Sequence, residues 1–189
     1  NHIHVDFDLN ECRPISLSER TKNKLEEKMK LKALTSGTPE ERLEELGLEL
    51  PPVPEAVADY VTHSQIGHII YTSGMLPWIA GHLKFKGKMG AELTVEQGYE
   101  ASQLSALNGL SLLQSITGDL GRIKRIHRLE GTGGATPDFF DMPLTLNGAS
   151  HHISTVFGEK GAHSRMIYSN PSMPIDCATL LVFWAEVGH

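Results

Sequence analysis

His163-Ser164-Arg165 opens a short strand, and a second strand follows from about Cys177 to Ala185 that is apolar at odd and even positions alike. A strand of that pattern is covered on both faces, so the Arg165 guanidinium sits beside a dry wall. A guanidinium keeps its charge and offers a flat fork of donors, which in such surroundings takes a carboxylate or phosphate. The acid is either a ligand or a neighbouring side chain. Thr72-Ser73-Gly74 ends another strand, where glycine lets backbone amides approach a ligand oxygen; a bulge or plain strand end fits the same tripeptide.

Other candidates carry less chemistry. His151-His152 falls on a helix, where neighbours project about 100° apart, so the pair reads as part of a polar face and not as a metal clamp. His2 and His4 alternate with Ile3, Val5, Phe7 and Leu9, the pattern of a half-buried strand, although their donor types also suit a metal. Arg122, Lys124, Arg125 and Arg128 lie close together, but acidic residues surround them and no aromatic platform accompanies them, so nucleic acid is not the expected partner. Gly131-Thr132-Gly133-Gly134 reads as a loop without the Gly-Lys-Ser/Thr ending of a phosphate loop. Nothing in the chain calls for a metal or a cofactor.

These residues need a scaffold, and 189 residues supply one domain with an appendage. The net charge of −6 is shared by both parts: Asn1 to Val57 carries 8 basic and 12 acidic residues, and Ala58 to His189 carries 9 and 11. Neither is the basic surface that a phosphate backbone requires. Cys12 and Cys177 form no disulfide framework, which favours a reducing, cytoplasmic location with a mitochondrial one left open. The charge-free stretch from Ala101 to Gly118 holds four serines, two glutamines and an asparagine, so no membrane span is expected.

Along the chain, residues 1–53 read as an N-terminal arm: a strand at 2–9, a charged helix from Ser18 to Leu34, and a second helix with Thr38 as N-cap, Pro39 at the first position, Glu41 completing the capping box and Gly47 beyond the end. Pro51-Pro52-Val53-Pro54 marks entry to a domain spanning 54–189. Strands are expected at 58–67 and 68–74, and a short one from Leu83 to Lys88. The main helix runs from Thr94 to Thr117, with Thr94 and Gln97 as capping box and Gly118 as stop. A strand follows from Arg122 to Glu130, then a helical stretch from Phe139 to Phe157 interrupted near Pro143, then the two final strands. The result is an α+β layer of two helices on one mixed sheet. Two helices cover one face, so the other face of the last strand asks for another subunit.

Ala58-Asp59-Tyr60-Val61 running through Ile69-Ile70-Tyr71-Thr72-Ser73-Gly74 to Leu76-Pro77, with His163-Ser164-Arg165 and the later Met173-Pro174, resembles the RidA/YjgF family of reactive-imine deaminases, also labelled L-PSP endoribonucleases. The likeness runs from about Pro54 to Val187. Asn147-Gly148-Ala149-Ser150 followed by Val156-Phe157-Gly158-Glu159 is similar to a less characterised branch. The resemblance implies a chorismate-mutase-like homotrimer with ligand clefts between subunits. It implies that Arg165 holds the carboxylate of a 2-imino or 2-keto acid, with Ser73, Gly74, Ile167 and Asn147 lining the pocket and Tyr60 closing it from a neighbouring subunit. The implied reaction is hydrolysis of an imine or enamine to a 2-keto acid and ammonia; a non-catalytic carboxylate-binding module is the alternative, and ribonuclease activity ranks below both. Two departures stand out. Leu180 occupies the position where the family's deaminases carry glutamate, and Ile167 the position where a cysteine is usual.

Overall fold

The computed structural model describes residues 37–188; the expected strand at 2–9, the helix from Ser18 to Leu34, and Cys12 lie outside them. Helix α1, Pro39–Glu45, forms as its capping box dictates: Glu41 N donates to Thr38 Oγ1 at 3.2 Å and Thr38 N to Glu41 Oε2 at 2.7 Å. This helix packs on the main body. Leu43 joins the main core cluster, Arg42 Nη1 donates to Val156 O, Leu120 N donates to Glu40 Oε1, and Ser111 Oγ donates to Pro51 O. Residues 38–51, read from sequence as part of the arm, are thus fastened to the domain by both apolar burial and hydrogen bonds.

Strands β1 (His63–Ile66), β2 (Ile69–Thr72), β5 (Ile123–Gly134), β6 (Ser164–Asn170) and β7 (Thr179–Val187) form one sheet in the order β1-β2-β7-β5-β6. Strands β1, His63–Ile66, and β2, Ile69–Thr72, form a hairpin, shorter than the sequence suggested because residues 58–62 make no ladder. A separate two-stranded piece joins β3, Trp78–Ile79, to β4, His82–Leu83, through Ala80 and Gly81, both at positive φ. The strand expected from Leu83 to Lys88 is limited to that last residue of β4 plus one isolated bridge from Lys86 to Cys177. Helix α2, Val95–Thr117, begins and ends where its capping box and Gly118 place it.

Two expectations are corrected. The Gly131–Gly134 run is no loop: β5 extends over Ile123–Gly134 and pairs with β6 to its end and with β7 as far as Gly133. Its glycines serve packing, since a Cβ on Gly131 would lie 2.7 Å from Leu146 Cδ1 and one on Gly133 the same distance from Met89 Cε. Pro143 interrupts nothing, because α3 spans Met142–Phe157 and places it in the first turn, where its missing N–H costs no hydrogen bond. Helix α3 is the crossover between parallel β5 and β6, Ser164–Asn170. Central β7, Thr179–Val187, runs antiparallel to β2 and β5.

Both long helices lie on one face of the sheet. Their crossing is close: a Cβ on Gly148 would collide with the Tyr99 carbonyl, and Ser102 Oγ reaches Thr145 O at 2.6 Å. Ile126, Leu129, Leu181, Phe183 and Ala185 are fully buried beneath them. The opposite face carries Leu180, Val182 and Trp184 of β7, with Tyr71, Met166 and Tyr168 alongside. Trp184 is 36% exposed, Met166 43% and Tyr168 49%. The doubly apolar β7 is therefore covered on one side within a chain, while its other side presents an apolar surface, with Trp184 edge-on to Tyr71 at 5.2 Å. Arg128 lies over Trp184 and pairs with Glu130 at 2.6 Å, which neutralises part of the basic cluster.

Candidate functional site

Arg165 occupies edge strand β6 opposite Leu129, whose side chain is buried under the helices, so the arginine leaves the sheet on the helix side. Asn147 and Ser150, three residues apart on α3, face it together. Arg165 Nη1 donates to Asn147 Oδ1 at 2.7 Å and to Ser150 Oγ at 3.3 Å, and Nη2 donates to Pro143 O at 3.4 Å. All three acceptors are neutral. A guanidinium has five N–H donors, so Nε–H and one Nη2–H remain, and among the described residues no carboxylate pairs with them. Partial burial lowers the Arg165 pKa from its ordinary value, but the residue as a whole is exposed, so the dry setting expected from the neighbouring strand is not what the fold provides.

A second group stands behind it. Ser150 Oγ lies 3.1 Å from His163 Nε2, and His163 Nδ1 lies 2.6 Å from Gly161 O. Burial lowers the His163 pKa, the Arg165 charge adds to this, and the Gly161 carbonyl opposes it. An open groove of ≈ 540 Å³ lined by Arg125, His127, Ala162, His163 and Ser164 reaches the imidazole from outside. Ser150 escaped the sequence reading; the i, i+3 spacing from Asn147 was the signal available for it.

The remaining predicted residues lie elsewhere. Ser73 is tied to the segment that follows Tyr60, for Ser73 Oγ donates to Val61 O at 2.6 Å and Ser73 N to Thr62 O at 2.8 Å, while the Tyr60 hydroxyl accepts from Val57 N. Gly74 abuts Leu180, with space for a Cβ only 2.7 Å from the leucine methyls. Strands β7 and β5 separate this group from β6, roughly 14 Å at the usual strand spacing. One chain thus brings Arg165 to Asn147, Ser150 and His163, and brings Ser73 to the segment after Tyr60, but does not unite the two groups. Ile167 packs against both core clusters on the helix side.

The adjacent histidines diverge as their helical spacing requires, but they do not form a polar surface. Tyr99 Oη lies 2.9 Å from His151 Nδ1, and Gln103 Nε2 lies 3.3 Å from His152 Nδ1. His152 is 5% exposed, and burial pulls its pKa down to about 4. Burial pushes the Tyr99 phenol up to about 12. Among the described residues no group of three His, Cys, Asp or Glu side chains is placed to hold a metal, and no helix is long and apolar enough to cross a membrane.

Comparison with known proteins agrees with this architecture. The profile of the family described as YjgF/chorismate mutase-like, putative endoribonuclease, matches residues 40–187. Protein TCP17 of Trypanosoma cruzi is 33% identical over 160 residues, covering 84% of this chain and all of that protein. A solved structure from Shewanella oneidensis MR-1, described like the family, is 42% identical with a TM-score of 0.78 and covers 80% of this chain and all of its own. Atu1372 of Agrobacterium tumefaciens, of unknown function, is 33% identical at a TM-score of 0.74, over 80% of this chain and 94% of its own. RidA from a Psychrobacter species shares the fold at 15% identity, TM-score 0.50, over 71% of this chain and 94% of its own. The family match begins within α1, where packing on the main body also begins. The chain belongs to the YjgF/chorismate mutase-like family.

Proposed function

We propose that this protein binds small 2-imino or 2-keto acids through Arg165, in clefts between the subunits of a homotrimer, and hydrolyses the imine to a 2-keto acid and ammonia. The observation that carries the reading is the state of the Arg165 fork: fixed by three neutral oxygens of α3, lacking a carboxylate partner among the described residues, and keeping two donors for a ligand. A carboxylate completes that arrangement through charge-assisted hydrogen bonds. Assembly is supported by the apolar sheet face around Leu180, Val182, Trp184 and Tyr168, an area that a monomer would leave wet. The two separated residue groups support a shared cleft, with Tyr60, Ser73 and Gly74 of one subunit facing Arg165 of another. Hydrolysis of a C=N bond needs water and proton transfer and no cofactor.

A second reading, a non-catalytic carboxylate-binding module, draws on Leu180. Its methyl groups fill the space beside Gly74, where a glutamate would supply acid–base chemistry in the family's deaminases. RNA cleavage has less support, since the cationic strand is broken up by the Arg128–Glu130 pair and the net charge of the chain is −6. The test generates 2-iminopropanoate in situ with an amino-acid oxidase and follows its loss with wild type and Arg165→Ala, beside calorimetry with pyruvate. Faster loss with wild type and none above background with the variant is the expected result. A wild type that binds pyruvate yet leaves the imine at its enzyme-free rate selects the binding module.

A further inference from the structure

The acid–base group that Leu180 cannot supply has a counterpart on the helix side of β6. Arg165 Nη1, Ser150 Oγ, His163 Nε2 and, through the ring, His163 Nδ1 and Gly161 O form one connected chain at 3.3, 3.1 and 2.6 Å. The proton positions along it are forced. A guanidinium only donates and a carbonyl only accepts, so Nδ1 carries the imidazole proton, Nε2 is bare, and the serine hydroxyl receives from Arg165 while donating to His163.

We infer that Ser150 and His163 are the proton relay of this site, with Ser150 touching the attacking water and His163 taking up its proton. The inference rests on the carboxylate-anchoring reading above. Water adds its oxygen to the imine carbon held beside Arg165 while its proton passes to Ser150 Oγ, whose own proton moves to His163 Nε2. The C=N electron pair goes to nitrogen, giving a carbinolamine. Protonated His163 returns the proton through Ser150 to that nitrogen, the C–N bond breaks, and the hydroxyl proton leaves with the ammonia as ammonium. An iminium acid and water thus become a 2-keto acid and ammonium, with His163 neutral again.

The surroundings suit the role. A base must be unprotonated to accept, and burial holds His163 below its ordinary pKa of 6.5. The charged or titratable groups facing it are Arg165, two residues further along the chain, and Arg125 and His127 across the groove. None of these is a carboxylate. His151 is engaged by Tyr99 and does not compete for Ser150. Ser150 is only half-buried, and the groove beside His163 gives water a path.

His163→Gln is the decisive variant, because its amide oxygen can still accept from Ser150 but takes no proton. Ser150→Ala removes the link itself and carries the test if the first variant does not fold. Expected results are wild-type pyruvate binding for His163→Gln, imine turnover lowered by about 100-fold or more in both variants, and loss of the wild type's acid limb in kcat/KM below pH 6.5. Wild-type turnover with the acid limb retained in His163→Gln overturns the relay and leaves the hydrolase reading standing. A wild type that binds pyruvate without accelerating imine loss overturns both.

Discussion

His152 makes the fold sensitive to acid, by an amount that follows from its burial. It lies between α2 and α3 at 5% exposure, with Gln103 at 3.3 Å, and its pKa falls from 6.5 to about 4. Desolvation is the larger cause and neighbouring His151 the smaller. Because the folded pKa lies below the unfolded one, the unfolded chain binds more protons between these values. Stability is therefore full above pH 6.5, falls as the pH drops toward 4, and levels off below. At 1.36 kcal/mol per pKa unit the whole window amounts to about 3 kcal/mol, of which about 2 kcal/mol is lost by pH 5. Leucine is close to histidine in size and does not titrate. Urea unfolding of wild type and His152→Leu at pH 7.5 and pH 5, at one fixed protomer concentration, isolates the effect from His151 and His163, which are lowered in the same direction. The variant should lose about 2 kcal/mol less than wild type over that interval. Equal losses would show that a charged His152 is accommodated and that its burial carries no penalty.

Three further outcomes are expected. Arg165→Ala should weaken pyruvate binding by about 2–5 kcal/mol in calorimetry, and unchanged affinity would make Arg165 a fastener for α3 alone. Val182→Asp places a charge in the open sheet face and should shift sedimentation from trimer toward monomer; a wild type that already sediments as a monomer refutes the assembly. Gly109→Ala drives a methyl group into the Phe183 ring and should lower stability by about 1–3 kcal/mol, read from the urea midpoint.

The helices α1 and α2 were legible because their boundaries are set locally. Thr38 with Glu41, Thr94 with Gln97, and Gly118 satisfy or terminate backbone groups within a turn, so no distant residue is needed to place them. The Gly131–Gly134 run was misread for the opposite reason. Its strand conformation depends on β6 and β7 on either side and on Leu146, Met89 and Met142 filling the space above it. His152 was misread likewise, since a polar side chain on a helix says nothing of which partner helix will cover it.

Residue type by itself determined that Arg165 carries a permanent charge, because a guanidinium is ionised in any surroundings. It also determined that β7 is apolar on both sides. Tertiary structure decided which atoms share the space. Ser150 and His163 are 13 residues apart in the chain and meet only because α3 crosses back over β5 to deliver β6 beside it. Tyr60 and Ser73 fall at the far side of the sheet from Arg165 because β7 and β5 insert between β2 and β6. Strand order is fixed by long-range pairing, which no local pattern encodes.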